Sequence, residues 1–211
     1  VPAGWSGASV GLSVAAARRT LGCALRAVYE GPFAAPEGVA VLHPNGFVKL
    51  PVALVPGTGR RLFLHVWLGD GEDSHIHNHR WDFTSIVLRG RVDNTLIDVG
   101  PDGDGPRYRA IRHSPDDGGF RFDGRGAPEV GVTALRTVAL PERAEYAMDA
   151  RTLHRVRAEG GTMTFVARGM PSRTHSDVLL DGPAEDGPHR MRTVGSAERE
   201  RYLRQALEAL G

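Results

Sequence analysis

The run His75-Ile76-His77-Asn78-His79 places three imidazoles at i, i+2 and i+4, and Arg80-Trp81-Asp82-Phe83 follows at once. In an extended segment successive side chains alternate faces, so all three rings point the same way. A strand furnishes one side of a metal site in this manner. Neutral imidazoles with open coordination positions suit Fe(II), Zn, Mn, Ni or Cu, because nitrogen donors alone separate these first-row ions weakly. Asp82 adds a carboxylate nearby, as a ligand or as a hydrogen-bond anchor for a ring or a turn.

Other chemistry is poorly represented. Glu72-Asp73 and Asp102-Gly103-Asp104-Gly105 lack the spacing and terminal glutamate of a calcium loop and read as turns. There is no phosphate-cradling glycine loop and no Gly-x-Ser-x-Gly elbow, which disfavours nucleotide chemistry and serine hydrolysis. The formal charge is +1, and Lys49 is the single lysine in an arginine-rich chain. No clustered basic field suggests a nucleic-acid partner. Cys23 is the only cysteine, so no intrachain disulfide forms and a reducing, cytoplasmic setting is the expectation. No stretch approaches the roughly 18 apolar residues of a membrane span, and no signal peptide is expected.

The elements that must hold the histidines are strands. Leu62–Leu68 precedes the run, and Thr84–Leu88 follows it to a turn at Arg89-Gly90-Arg91. Further strand-like runs lie at Val39–Leu42, Phe47–Leu54, Val92–Asp98, Val130–Leu140, Glu145–Met148, Leu153–Val156, Thr162–Ala167 and Asp177–Leu180. Punctuation by Gly, Pro and Asn without alternating helices predicts an all-β barrel or jelly roll over 39–180, in a single domain spanning 1–211. The Asp-, Gly- and Pro-rich stretch 100–128 reads as a long surface insertion in which only Tyr108–Ile111 is apolar enough for a strand. An amphipathic N-terminal helix is expected over 10–28, before a loop at Gly31-Pro32 and Ala35-Pro36. A C-terminal helix is expected over 196–210, capped by Ser196, with Leu203, Ala206, Leu207 and Leu210 on one stripe. On the strand after the histidines, Phe83, Ser85 and Val87 share the inward parity of His77 and His79, while Thr84, Ile86 and Leu88 face outward.

These residues resemble the cupin superfamily, whose first motif reads Gly, five residues, His-x-His, three or four residues, Glu, six residues, Gly. Aligned on Gly90, the chain supplies Gly71, His77-Asn78-His79, Phe83 at the glutamate position, and Gly90. The second motif is similar to Tyr146–Val156, with His154 at the histidine position and Asp149 and Arg151 in place of the usual proline and glycine. A competing register uses Gly69, His75-Ile76-His77 and Asp82, and needs an additional residue in the strand. The resemblance covers roughly Phe47 to Gly169. The His-x-His-x-His-x-Trp-Asp-Phe run is similar to that of an uncharacterised bacterial cupin group.

The resemblance implies a double-stranded β-helix with peripheral terminal helices. It implies a divalent metal on His77, His79 and His154, with His75 and Asp82 as additional or alternative ligands. A site without its glutamate carries more positive charge and favours an anionic substrate. That describes three-histidine cupins that use Fe(II) and dioxygen on a small carboxylate-bearing metabolite, with Zn, Mn or Ni implying an isomerase or lyase and no metal implying a binding module. Trp81, Ser85, Tyr146 and Arg168 are the expected substrate contacts. Pairing through barrel edges implies a homodimer, for which the outward face of Thr84, Ile86 and Leu88 offers a surface. His65, His113, His175 and His189 carry no spacing argument and read as structural or exposed.

Overall fold

The computed structural model describes residues 13–30, 39–55, 57–69, 71–72, 75–116, 119–182 and 187–211. Residues 10–12, the loop at Gly31-Pro32 and Ala35-Pro36, and Asp73 lie outside them. Helix α1 (Val14–Glu30) precedes strands β1 (Val41–Leu42), β2 (Phe47–Val55), β3 (Arg60–Trp67), β4 (Gly71–Glu72) and β5 (Ile76–His77). Then come β6 (Phe83–Arg89), β7 (Val92–Gly100), β8 (Arg107–Asp116), β9 (Gly119–Asp123), β10 (Glu129–Leu140) and β11 (Glu145–Met148). The chain closes with β12 (Leu153–Ala158), β13 (Met163–Arg168), β14 (Ser176–Leu180), β15 (Gly187–Arg190), β16 (Arg192–Thr193) and α2 (Ser196–Ala209).

The strands form two antiparallel sheets. One runs β11-β6-β13-β3-β2-β1-β16, and the other runs β10-β7-β12-β5-β14-β8-β9-β15 with β4 on β12. The turns after β6, β11, β12 and β13 each carry the chain from one sheet to the other. That winding makes the expected jelly-roll barrel. The turn after β6 needs a glycine: Gly90 sits at φ +80°, and a Cβ there would lie 2.6 Å from Thr162 Oγ1. Pro51 is tolerated inside β2 because the register slips between Pro51 and Ala53, a bulge that relieves the missing donor.

Alternation along the first sheet separates two environments. Val48, Leu50, Leu64, Val66, Ile86, Leu88, Phe165 and Ala167 face outward and pack with Ala17 and Leu21 of α1 and with Tyr202, Leu203 and Ala206 of α2. The outward side of β6 offered for subunit pairing is therefore buried beneath the chain's own helices. Between the sheets, Phe47, Trp67, Val87, Val92, Tyr146, Met148 and Val156 form a second buried cluster. Helix α2 starts with Gly195 as its N-cap, in an extended conformation, rather than Ser196, which is already helical and makes no capping bond. Among the described residues no helix is long and apolar enough to cross a membrane.

The stretch 100–128 corrects the sequence reading of a surface insertion. Strand β8 pairs with β14 from Arg109 to His113 and forms a hairpin with β9. Strand β10 pairs with β7 along its length and, over Glu129–Gly131, with β8. The second sheet thus curls into a closed ring filled by Ile76, Ile97, Val132 and Leu179. This curl brings Gly131 against Gly103 so closely that a Cβ on Gly131 would fall 2.2 Å from the Gly103 carbonyl oxygen. The apolar alternation was hidden because the run ends at Ile111 and the same face continues with His113 and Pro115, which line a cavity.

Candidate metal centre

Strand β5 is only two residues long, and it carries His77 opposite His154 of β12. His79 lies just past the strand end, where its backbone N–H donates to Ala150 O at 3.2 Å. Asn78 between them turns the other way, exchanging bonds with Asp177: its amide donates to Asp177 Oδ2 at 2.8 Å and its Oδ1 accepts from Asp177 N–H at 2.7 Å. Locking Asn78 outward sends His77 and His79 inward. Arg173 at 2.7 Å reinforces the same Asp177 carboxylate and, with Asn78, holds it below the ordinary carboxylate range against the opposing effect of burial.

His154 is delivered by the turn before β12. There Asp149 accepts from Arg151 N–H at 2.8 Å and from Thr152 N–H at 3.0 Å, closing by side-chain bonds the turn that a proline and glycine close in the motif it resembles. Asp82 ties the two halves together, its Oδ1 accepting from Ala150 N–H at 2.7 Å. Asp82 is thus the anchor of the turn and not a member of the histidine cluster.

One ring nitrogen from each of His77, His79 and His154 lies within 4.8 Å of the others. The Nδ1 of His154 faces Asn94 Oδ1 at 2.9 Å, and the Nδ1 of His77 faces His75 O at 3.1 Å. Both partners are acceptors, so each Nδ1 carries the proton and each Nε2 presents its lone pair. The Nε2 atoms of His79 and His154 are 3.0 Å apart, close to the separation of two nitrogens about 2.1 Å from one ion. Burial, followed by the neighbouring imidazoles, holds His79 and His154 well below the ordinary histidine range, which keeps them neutral donors. The position expected of a glutamate is Phe83, whose ring meets His79 edge-on at 5.0 Å. His75 contributes its carbonyl, while its ring lies beside Phe122 at 6.5 Å, outside the cluster. The segment is extended over two residues only, and His75 lines the same cavity without joining the three-histidine cluster.

The rings line a cavity of about 680 Å³. Trp81, Tyr146 and Arg168 line it too. Trp81 stacks toward His79 at 6.1 Å, Tyr146 meets Phe83 edge-on at 6.0 Å, and Arg168 lies over the Trp81 ring at 4.2 Å. Ser85 is fully buried and does not line the cavity. Sequence reasoning passed over Asn94, Lys49, His43, His65, His113 and Arg80. Burial, then Lys49, lowers His65 to about 3, while His113 Nδ1 meets Ser176 Oγ at 2.9 Å. The available signal was parity: Lys49 alternates with Phe47, His65 with Phe63 and Trp67, and Asn94 with Val92, all inward-facing apolar positions.

No protein-family model and no curated protein sequence matches the chain. Among solved structures, it is similar to an RmlC-like cupin protein from Desulfovibrio desulfuricans, at 16% identity over 66% of this chain and 95% of that one, with a TM-score of 0.36. An RmlC-like cupin from Shewanella frigidimarina gives 10% identity, 68% and 92% coverage and a TM-score of 0.37. Hydroxypropylphosphonic acid epoxidase from S. wedmorenis gives 13%, 64% and 56%, and 0.38. Scores of this size support no statement about chemistry, which rests on the side chains described above.

Proposed function

We propose that this cupin-type barrel is a metal-dependent enzyme in which His77, His79 and His154 hold one Fe(II) ion for the oxidation of a small acid by dioxygen. The observation that carries the reading is the convergence of His77, His79 and His154, one ring nitrogen of each lying within 4.8 Å of the others. A cation placed among the three rings would accept all three lone pairs at once. Three protein donors leave coordination positions open, and the lack of a carboxylate leaves the full ionic charge to attract an anionic substrate. When bound there, Fe(II) supplies one-electron chemistry that lets dioxygen add both of its atoms to the acid.

The chain's own residues provide the rest. Asn94 and the His75 carbonyl orient the rings, Phe83 and Tyr146 form an apolar wall that excludes water, and Trp81 closes the side next to His79. Elemental analysis of protein purified anaerobically without added metal tests the reading. Near-stoichiometric iron, lost in His77→Ala, with oxygen uptake on addition of small acids, is the expected result. Zinc, manganese or nickel would replace it with Lewis-acid chemistry, and absence of metal from the wild type would overturn it in favour of a binding module.

A further inference from the structure

Away from the histidines, the same cavity carries a second polar group with no counterpart in the metal site. Lys49 and Arg168, from β2 and β13, both stand over the rings of Phe63 and Trp81: Lys49 Nζ at 4.7 and 5.9 Å, and Arg168 Cζ at 5.1 and 4.2 Å. Arg80 Cζ approaches Trp81 at 4.9 Å as well. Among the described residues Asp181 is the one acid that lines the cavity, and Lys49 and Arg168 make no ion pair with any of them. Arg168 is 8% exposed, and its Nε is buried without a hydrogen-bond partner.

Such an arrangement is electrostatically incomplete. Burial, and then the neighbouring arginines, lowers Lys49 to about 8 and Arg168 to about 10, so the cations disfavour one another. Contact with aromatic faces compensates a cation in part, but a desolvated guanidinium with an unmade hydrogen bond is normally completed by an oxyanion. Arginine's planar fork matches a carboxylate in two parallel bonds, and lysine adds a point charge from the side. Trp81 is shared, since it also stacks toward His79. The cations and the histidines are therefore separated by one indole, the reach of a small molecule.

We propose that Lys49 and Arg168 form an oxyanion clamp that seats the carboxylate of a small organic acid, whose other end presents oxygens to the three-histidine centre. This deepens the metalloenzyme reading and rests on it for the second half of the substrate. The substrate class is a short diacid, or a keto or hydroxy acid with its distal carboxylate in the clamp.

The clamp is testable without metal. Glutarate is titrated by calorimetry into chelator-treated protein, into the Lys49→Met and Arg168→Met variants, and into the charge-retaining Lys49→Arg variant; glutaramide is the neutral control. Cobalt(II) binding to each protein, followed by visible absorption, reports the histidine centre separately. We expect glutarate to bind the metal-free wild type at least tenfold more tightly than either methionine variant. We also expect glutaramide not to bind, Lys49→Arg to retain binding, and cobalt affinity to be unchanged throughout. Equal glutarate binding in wild type and both methionine variants, or no binding to the wild type, would overturn the clamp. Loss of cobalt binding from the wild type with glutarate binding intact would instead overturn the metalloenzyme reading and leave the clamp standing.

Discussion

The two faces of the first sheet are made by the same strands and do opposite things. Along β2, Val48 and Leu50 face the helices while Phe47 and Lys49 face the cavity; along β3, Leu64 and Val66 face the helices while Phe63, His65 and Trp67 face in. The outer face is largely apolar and packs against α1 and α2. The inner face mixes aromatic rings with titratable groups that have been stripped of water. Period-two alternation thus lets one set of backbone hydrogen bonds serve a stabilising surface and a chemical one, and substitutions on the two faces should separate cleanly.

The sharpest separation is expected at the histidines. His154→Ala should remove essentially all bound metal, since two imidazoles remain where three converge, yet leave the denaturation midpoint of the metal-free protein little changed. A variant that keeps one equivalent of metal would show that His154 is no ligand. The converse experiment is Phe165→Ala, which empties a fully buried site between the sheet and the helices. A loss of about 3–5 kcal/mol in urea denaturation is expected, with unaltered cobalt affinity in the folded protein. A matching loss of metal affinity would mean that the two faces are mechanically coupled.

Lys49 is the point where the inner face works against stability. Its folded-state value of about 8 lies below the ordinary 10.5, so the unfolded chain binds this proton more tightly. Between those values unfolding takes up a proton, and stability should rise with pH across the window. Below pH 8 the penalty is present in full, up to about 3 kcal/mol. Lys49→Met should therefore be more stable than wild type at pH 7, with the difference shrinking toward pH 10.5. Parallel stability curves for the two proteins would show that Lys49 is solvated.

What was legible in the sequence divides along the same line. Strand positions were legible because apolar residues recur along the outer face, as at Val48 and Leu50 or Leu64 and Val66, and the jelly-roll class followed from many short strands without alternating helices. His77, His79 and His154 were found because their spacing is unusual enough to stand out against composition. Arg168 was read as a substrate contact and does line the cavity, whereas Lys49 and His65 belong to the same cavity as single polar residues on inward parity that no spacing marks. The stretch 100–128 misled for a related reason: the apolar run of β8 ends at Ile111, and Arg112, His113, Ser114 and the flanking turns outweighed it. Asp82 was read, by sequence, as a hydrogen-bond anchor before a ligand, and its Oδ1 accepts from Ala150 N–H at 2.7 Å.

The smallest of the expected effects falls on Asn94, which touches no substrate and acts only through a ring. Asn94 is 1% exposed, and its Oδ1 accepts the Nδ1 proton of His154, a residue itself 3% exposed. Without an acceptor there, His154 can place its proton on Nε2, which would aim a donor at His79 Nε2 and away from any cation. Asn94→Leu should therefore weaken cobalt binding by about 10–100-fold, the range for partners that orient a ligating histidine. Asn94→Asp keeps an acceptor and should recover most of that affinity, a rescue that simple repair of packing by leucine cannot give. Equal affinities for the leucine and aspartate variants would mean that Asn94 serves packing alone, and that the tautomer of His154 is fixed by the cation rather than by the inner face of the barrel.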